Sequence, residues 1–235
     1  PLARPPRPGY PPPMARLARV VAAGQPHQVT QRGNRRQPVF FGADDYATYR
    51  ELLAEGCRRA GVAVWAYCLM PNHVHLNLVP SDADGLRAAL GEAHRRYTRH
   101  VNLREGWRGY LWQGRFASFP MDETYLLAGA RYVELNPVRA RLVERPREWR
   151  WSSARAHLLG RDDGLVSVAP LLKLAPDWRG FLRQGLSEAE LEAIRAGERT
   201  GRPLGSARFV TRLEKRLKRP LARQKPGPKP KAAED

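Results

Sequence analysis

The sequence predicts an α+β fold in which helices pack on a ferredoxin-like antiparallel sheet. Between residues 26 and 136, the pattern of apolar and polar side chains indicates the order strand, helix, strand, strand, helix, strand, helix. Only Met70 and Pro71 separate the second strand from the third, and a connection this short requires an antiparallel pair.

The elements follow one another with recognisable start and stop signals. The first strand is expected at residues 26–32 and is followed by a basic turn at 33–38. A helix can begin at Asp44 or Asp45 and end at Gly61, because the apolar residues between them recur at helical spacing. A strand, a strand, a helix and a strand region are then expected at residues 62–69, 72–79, 84–101 and 110–121.

The last helix of this unit is expected from residue 123 to residue 135 or 136. Asp122 is a good N-cap, and Pro137 disfavours the helical conformation for the residue before it. Tyr132 and Asn136 are four residues apart, so both would project from one face of the last turn. Taken alone, the pair could equally be an ordinary core tyrosine and a helix-end asparagine.

A pair of histidines lies in the predicted strand at residues 72–79. Side chains of a strand alternate between its faces, so His73, His75 and Asn77 share one face and the apolar residues between them fill the other. The two imidazoles are held with their Cα atoms roughly 6 to 7 Å apart, which allows both rings to bind one cation. The alternative is a half-exposed strand that carries two polar histidines.

Phosphoryl transfer is a chemistry that would use both sets of residues, since a tyrosine can act as a covalent nucleophile and a metal can polarise a phosphodiester oxygen. Four stretches, two of which contain these residues, occur in order: HQVTQRGNR at 27–35, YCLMPNHVH at 67–75, LWQGRF at 111–116 and RYVELNPVRA at 131–140. Together they resemble the HUH single-strand transposases and, within them, the REP-associated tyrosine transposases. An ordered set is much more specific than any one motif.

The resemblance implies a role for each candidate residue. His73 and His75 would bind a divalent cation, Asn136 would complete the metal site, and Tyr132 would be the nucleophile on single-stranded DNA. The implied substrate is an imperfect REP hairpin with a short single-stranded guide sequence, cleaved through a 5′-phosphotyrosine intermediate. Imidazole ligands alone would suggest zinc, whereas the family implies Mg or Mn, which we expect as the working cofactor.

Two other functions remain open on the sequence. The chain could bind DNA hairpins without cutting them, or it could be a hydrolytic metallonuclease in which water attacks and Tyr132 is structural. Whether the chain is a monomer or a homodimer also stays open.

Composition points to a polyanion as the partner. The formal net charge is +18, and the expected partner is single-stranded or hairpin DNA. No run of 18 apolar residues occurs, and residues 1–13 lack the apolar core of a signal peptide, so we expect no membrane insertion and a cytoplasmic, nucleoid-associated location in a bacterium. Cys57 and Cys68 suggest neither a disulfide framework nor a thiolate zinc site.

The chain is expected to comprise four segments: a disordered Pro/Arg-rich arm at 1–24, the catalytic domain at 25–160, a helical DNA-binding extension at 161–219 and a disordered basic tail at 220–235. In the extension, a capping box at 187–190 opens a helix expected to end at Gly197, and a second helix is expected from Ser206. The apolar stripe of this second helix, which includes Phe209 and Leu213, could instead dock on the catalytic domain.

Basic residues lie beside aromatic rings in several places, a combination that suits a phosphate backbone with unstacked bases. The residues expected to contact nucleic acid are Arg32, Arg35, Arg36, Arg115, Arg139, Arg208, Arg212 and Lys215.

Overall fold

The structure, a computed structural model, describes residues 19–222. Four strands form one sheet in the order β2-β3-β1-β4, and every neighbouring pair is antiparallel. The strands are β1 His27–Arg32, β2 Val62–Met70, β3 His73–Pro80 and β4 Ala117–Pro120. The predicted ferredoxin-like antiparallel sheet is confirmed, and the histidine strand β3 is an inner strand, as the pattern indicated.

Helices cover both faces of the sheet. Helices α1 (Ala43–Arg59) and α2 (Gly85–Glu105) pack on one face, where Val74 and Leu76 of β3 are fully buried. Helix α3 (Glu123–Glu134) packs on the opposite face, against β2 and the residues around β4. Within residues 19–222, no helix has the length and apolar character that a membrane span requires.

Two predicted boundaries were wrong. The strand expected at residues 110–121 shortens to β4, because Gly114 interrupts it with a positive φ angle of 61°, which extended strands do not use. Helix α3 ends at Glu134, but a further turn, α4 (Asn136–Arg139), follows it. Pro137 is tolerated in the first turn of α4 because an N–H at that position would have no intrahelical partner. Asn136 therefore begins a new turn and does not end α3.

The segment at 161–219 shares a core with the predicted catalytic domain. Its helices, together with the preceding α5 (Ala154–Leu159), are α6 (Ala169–Leu174), α7 (Trp178–Arg183), α8 (Glu188–Thr200) and α9 (Ala207–Leu217). Trp178 of α7 and Ile194 of α8 are buried in the same cluster as Val133 of α3. The packing of α3 on the sheet therefore depends on this C-terminal segment.

Helix α8 does not end at Gly197 as its sequence suggested. It continues to Thr200 and is terminated by Gly201, whose φ is +71°. A Cβ atom on Gly197 would lie 2.7 Å from Cζ of Phe119, so this glycine permits close contact between α8 and β4. The extra turn brings Glu198 to the sheet.

The predicted disorder at the two ends was wrong for the residues that the structure describes. Val20 and Ala22, from the segment expected to be an arm, are buried against Phe209 and Leu213 of α9. Leu221, from the expected tail, completes this cluster. The apolar stripe of α9 thus packs against the segment that precedes β1 and against Leu221. The remainder of both predicted arms, residues 1–18 and 223–235, lies outside the described residues.

Truncating Phe209 should destabilise the protein. Phe209→Ala removes a fully buried ring from the cluster around α9, and such substitutions cost about 3 kcal/mol in free energy of unfolding. Thermal unfolding followed by circular dichroism measures the change. Arg212→Ala, an exposed position on the same helix, should leave the melting temperature nearly unchanged; equal melting temperatures for both variants would contradict the docking of α9.

Candidate active site

The two histidines lie on the face of β3 that α3 covers. In the sheet register His73 is opposite Arg32 of β1, and His75 is opposite Thr30. The centroids of the two imidazoles are 4.8 Å apart and their planes are nearly perpendicular. His75 and Asn77 are buried as fully as the apolar residues on the other face, so the half-exposed alternative was wrong for His75, whereas His73 at the start of β3 is only partly buried.

Helix α3 places Tyr132 directly over this pair. The centroid of the Tyr132 ring is 5.2 Å from that of His75, in an edge-to-face arrangement. One turn earlier, Gly129 allows the close approach, because a Cβ there would lie 3.1 Å from the side-chain oxygen of Gln28 on β1. The sheet and the helix thus bring together the histidine pair and the tyrosine that the sequence singled out.

A buried carboxylate anchors the end of α3. Glu134 accepts hydrogen bonds from Ser153 Oγ at 2.6 Å, from His157 Nδ1 at 2.6 Å and from Trp178 Nε1 at 2.8 Å. All four side chains are buried. Because a buried charge must be met by hydrogen bonds, this arrangement holds the turn that carries Tyr132 in one position.

Asn136 and Arg139, which follow α3 in the chain, are the next two residues of interest near Tyr132. Asn136, four residues after Tyr132, is almost fully buried at the start of α4. The Arg139 guanidinium lies 4.3 Å from the centroid of the Tyr132 ring and donates a hydrogen bond to the Tyr132 carbonyl oxygen at 3.0 Å. A positive charge stacked on a phenol favours its ionised form.

Both imidazoles are suited to metal coordination. Nδ1 of His73 lies 2.6 Å from Oδ1 of Asn72, and Nδ1 of His75 lies 3.1 Å from Oγ1 of Thr30, which leaves Nε2 of each ring for a ligand. Burial lowers the pKa of His73 to about 4, and burial followed by the neighbouring His73 lowers the pKa of His75 well below its ordinary value. Neutral imidazoles are the form that binds metals.

The donor set combines these two imidazoles with an amide. Within residues 19–222 no group of three or more His, Cys, Asp or Glu side chains is arranged to hold a metal ion. His73 and His75 offer two neutral nitrogens, and Asn136, buried at the start of α4, carries a neutral amide oxygen that would be a third donor and would leave positions for phosphate oxygens. This chemistry fits a divalent cation that works on a phosphodiester.

Glu198 is a residue of this site that the sequence prediction missed. Its Oε1 accepts a hydrogen bond from Thr30 Oγ1 at 2.7 Å and lies 3.4 Å from Nδ1 of His75. Burial raises the pKa of the Glu198 carboxyl, while nearby arginines oppose this shift. One signal could have found it: Leu191, Ile194 and Glu198 recur at helical spacing, so the carboxylate shares the apolar face of α8.

The Tyr132 phenol is kept in its neutral form at pH 7. Burial is the largest cause that raises its pKa, and the charge of Glu198 raises it further. The guanidinium groups of Arg139, Arg195 and Arg32 act in the opposite direction. Nearby positive charge therefore favours the ionised phenol, while burial and Glu198 favour the neutral one.

A basic cleft of about 640 Å³ lies beside His75, because Thr30 and Glu198, which are next to that histidine, are part of its lining. Five arginines also line it, of which the last two were not predicted: Arg32, Arg36, Arg115, Arg195 and Arg199. Of the other expected DNA contacts, Arg139 lies against the Tyr132 ring, and the remaining four lie away from the cleft. Arg35 is exposed in the turn after β1, and the three basic residues of α9 are exposed on that helix: Arg208, Arg212 and Lys215.

An antiparallel α+β sandwich with a sheet-borne histidine pair facing a helix-borne tyrosine is the arrangement expected of the transposase domains that the motifs resemble. Residues 21–136 match the family model described as "Transposase IS200 like". This match confirms the transposase resemblance read from the four stretches at the level of that domain.

One solved structure shares the fold of this chain, and a second shows a weaker likeness. A REP-associated tyrosine transposase bound to a REP hairpin is 19% identical, with a TM-score of 0.55, covering 66% of this chain and 92% of that one. A candidate transposase from Deinococcus radiodurans R1 is 21% identical, with a TM-score of 0.34, covering 55% of this chain and 92% of that one. No sequence among the curated proteins matches the chain.

Proposed function

We propose that this transposase is a metal-dependent tyrosine enzyme that cleaves and rejoins single-stranded DNA at REP-type hairpins through a 5′-phosphotyrosine link. The observation that carries the proposal is the contact between Tyr132 and His75, whose ring centroids are 5.2 Å apart. It brings a nucleophile to a pair of neutral imidazoles able to hold a divalent cation. The hairpin is proposed because the REP-associated transposase of similar fold binds one.

In the proposed reaction, Oη of Tyr132 attacks the phosphorus of a phosphodiester in line with the leaving 3′ oxygen. The bond from phosphorus to the 3′ oxygen breaks, the phenol gives up its proton, and the 3′ oxygen gains one. The products are a 5′-phosphotyrosine and a free 3′-OH. Because the phosphodiester linkage is retained on the tyrosine, a second 3′-OH can reverse the step, which gives strand transfer.

The residues around Tyr132 have distinct tasks in this reaction. Arg139 favours the phenolate by its charge beside the ring. His73, His75 and Asn136 would hold Mg or Mn, which would offset negative charge that develops on the phosphate. The hydrogen bonds to Nδ1 of both histidines fix the direction of their Nε2 atoms.

A labelled single-stranded hairpin tests the proposal. The protein is incubated with Mn²⁺ and DNA that carries the label at either its 3′ or its 5′ end. On a denaturing gel, 3′-labelled DNA should migrate as a protein-linked band, and 5′-labelled DNA should yield a shorter free strand. Cutting without a protein-linked band would support the hydrolytic nuclease, and a mobility shift on a native gel without any cutting would support the non-cleaving binding protein.

Removing a cleft arginine should weaken the electrostatic part of DNA binding. Arg115 is exposed in the cleft beside the site, so Arg115→Ala should reduce the slope of log K against log salt by about 0.7, the value for one phosphate contact to a single strand. The salt dependence of hairpin binding measures this slope. Arg212→Ala, matched in charge but exposed on α9, should change it less; the reverse order would place the DNA path over α9.

A further inference from the structure

The last turn of α8 belongs to the wall of the histidine site. Leu191 and Ile194 face the core beneath α3, and Glu198, one turn further, reaches the sheet on the same face. Its side chain is only 19% exposed. Glu198 is therefore a largely buried carboxylate placed beside His75 by a helix outside the matched family domain, which ends at residue 136.

The hydrogen bonds here define which nitrogen of His75 carries the proton. A hydroxyl has one proton to donate and lone pairs to accept with. Thr30 Oγ1 donates its proton to Glu198 Oε1 at 2.7 Å, so toward His75 it can only accept. The 3.1 Å contact between Thr30 Oγ1 and His75 Nδ1 therefore requires a proton on Nδ1, and the lone pair of the imidazole is then on Nε2.

We propose that Glu198, acting through Thr30, holds His75 in the Nδ1–H tautomer and thereby presents Nε2 for metal binding. Glu198 is thus a positioning residue for the metal site that the proposed function requires. If the carboxylate were absent, the Thr30 hydroxyl could rotate and donate to Nδ1, which would stabilise the tautomer that has its proton on Nε2. Partners beyond the direct ligands often act in this way, and their loss typically weakens metal affinity by 10-fold to 100-fold.

The first measurement needs no metal. In the full chain labelled with ¹⁵N-histidine, proton–nitrogen correlation spectra distinguish a protonated Nδ1 from a protonated Nε2. His75 should show a protonated Nδ1 in the parent and in Glu198→Gln, because the amide oxygen of Gln also accepts from Thr30. Glu198→Ala and Thr30→Val should shift the population toward protonated Nε2, and an unchanged tautomer in both variants would overturn the proposal.

The second measurement is Mn²⁺ affinity, followed by titration calorimetry on the same proteins. Glu198→Ala and Thr30→Val should weaken Mn²⁺ binding by about 10-fold to 100-fold, and Glu198→Gln should remain within about threefold of the parent. Glu188→Ala, an exposed position on the same helix, is the matched control for the lost charge. Equal losses in Glu198→Gln and Glu198→Ala with an unchanged tautomer would make Glu198 a direct charged ligand and overturn the positioning role.

The two readouts separate this proposal from the function on which it rests. If the parent bound no Mn²⁺, the metal-dependent function would fail, while the tautomer of His75 would still decide the role of Glu198. Melting temperatures identify any variant that has lost its fold. Thr30→Val on β1 and Glu198→Ala on α8 interrupt the same pair of hydrogen bonds from different elements, so a folding defect in one leaves the other as the test.

Discussion

Tyr132→Phe should abolish strand cleavage and the covalent adduct while leaving the fold and hairpin binding intact. The substitution removes one oxygen and keeps the ring that packs edge-to-face on His75. Loss of a covalent nucleophile typically reduces turnover by about four orders of magnitude or more. Single-turnover cleavage of a 3′-labelled hairpin in Mn²⁺ measures both the rate and the protein-linked band.

Tyr125→Phe is the matched control for this experiment. Tyr125 lies two turns earlier on α3 and is partly buried in the same cluster, so its replacement makes the same chemical change away from the histidines. It should retain cleavage near the rate of the parent. Cleavage by Tyr132→Phe at a comparable rate would end the tyrosine hypothesis and favour attack by water.

Removing either histidine should abolish metal-dependent cleavage. His73→Ala and His75→Ala each delete one of two imidazoles whose ring centroids are 4.8 Å apart, and the loss of a metal ligand removes the charge that would stabilise the phosphoryl transition state. Asn136→Ala should mainly raise the Mn²⁺ concentration required, because water or a phosphate oxygen can replace an amide oxygen. Cleavage as a function of Mn²⁺ concentration measures all three variants.

His100→Ala is the control for the loss of a histidine as such. The His100 side chain is 42% exposed on α2, which packs on the face of the sheet opposite α3, and its Nε2 lies 3.8 Å from Oδ1 of Asp45. It should cleave DNA at the rate of the parent.

Excess chelator should stop cleavage by the parent, and dialysis into Mg, Mn or Zn then identifies which ion restores cleavage. Full activity in chelator, or an unchanged Mn²⁺ requirement in His73→Ala, His75→Ala and Asn136→Ala, would show that the metal site is misassigned.

Local patterns in the sequence determined most of the domain and the central part of its site. The alternation in β3 correctly put His73 and His75 on one face, and the N-cap Asp122 correctly placed the start of α3, where its side chain accepts from the N–H of Tyr125. Alternation and capping act between residues a few positions apart, so one sequence is enough to read them. The order of these elements then predicted the sheet.

Tertiary packing decided the features that depend on distant residues. Thr30, His75 and Glu198 form one set of hydrogen bonds, although 45 and 168 positions along the chain separate Thr30 from the other two. Gly197 looked like a helix stop because glycine disfavours helices, but inside α8 it serves the close packing of the helix on Phe119. Val20 and Leu221 were predicted to be disordered from composition, because the stripe on α9 that buries them is distant from Val20 in sequence. Local signals carry no information about such partners, and the chain must fold before they meet.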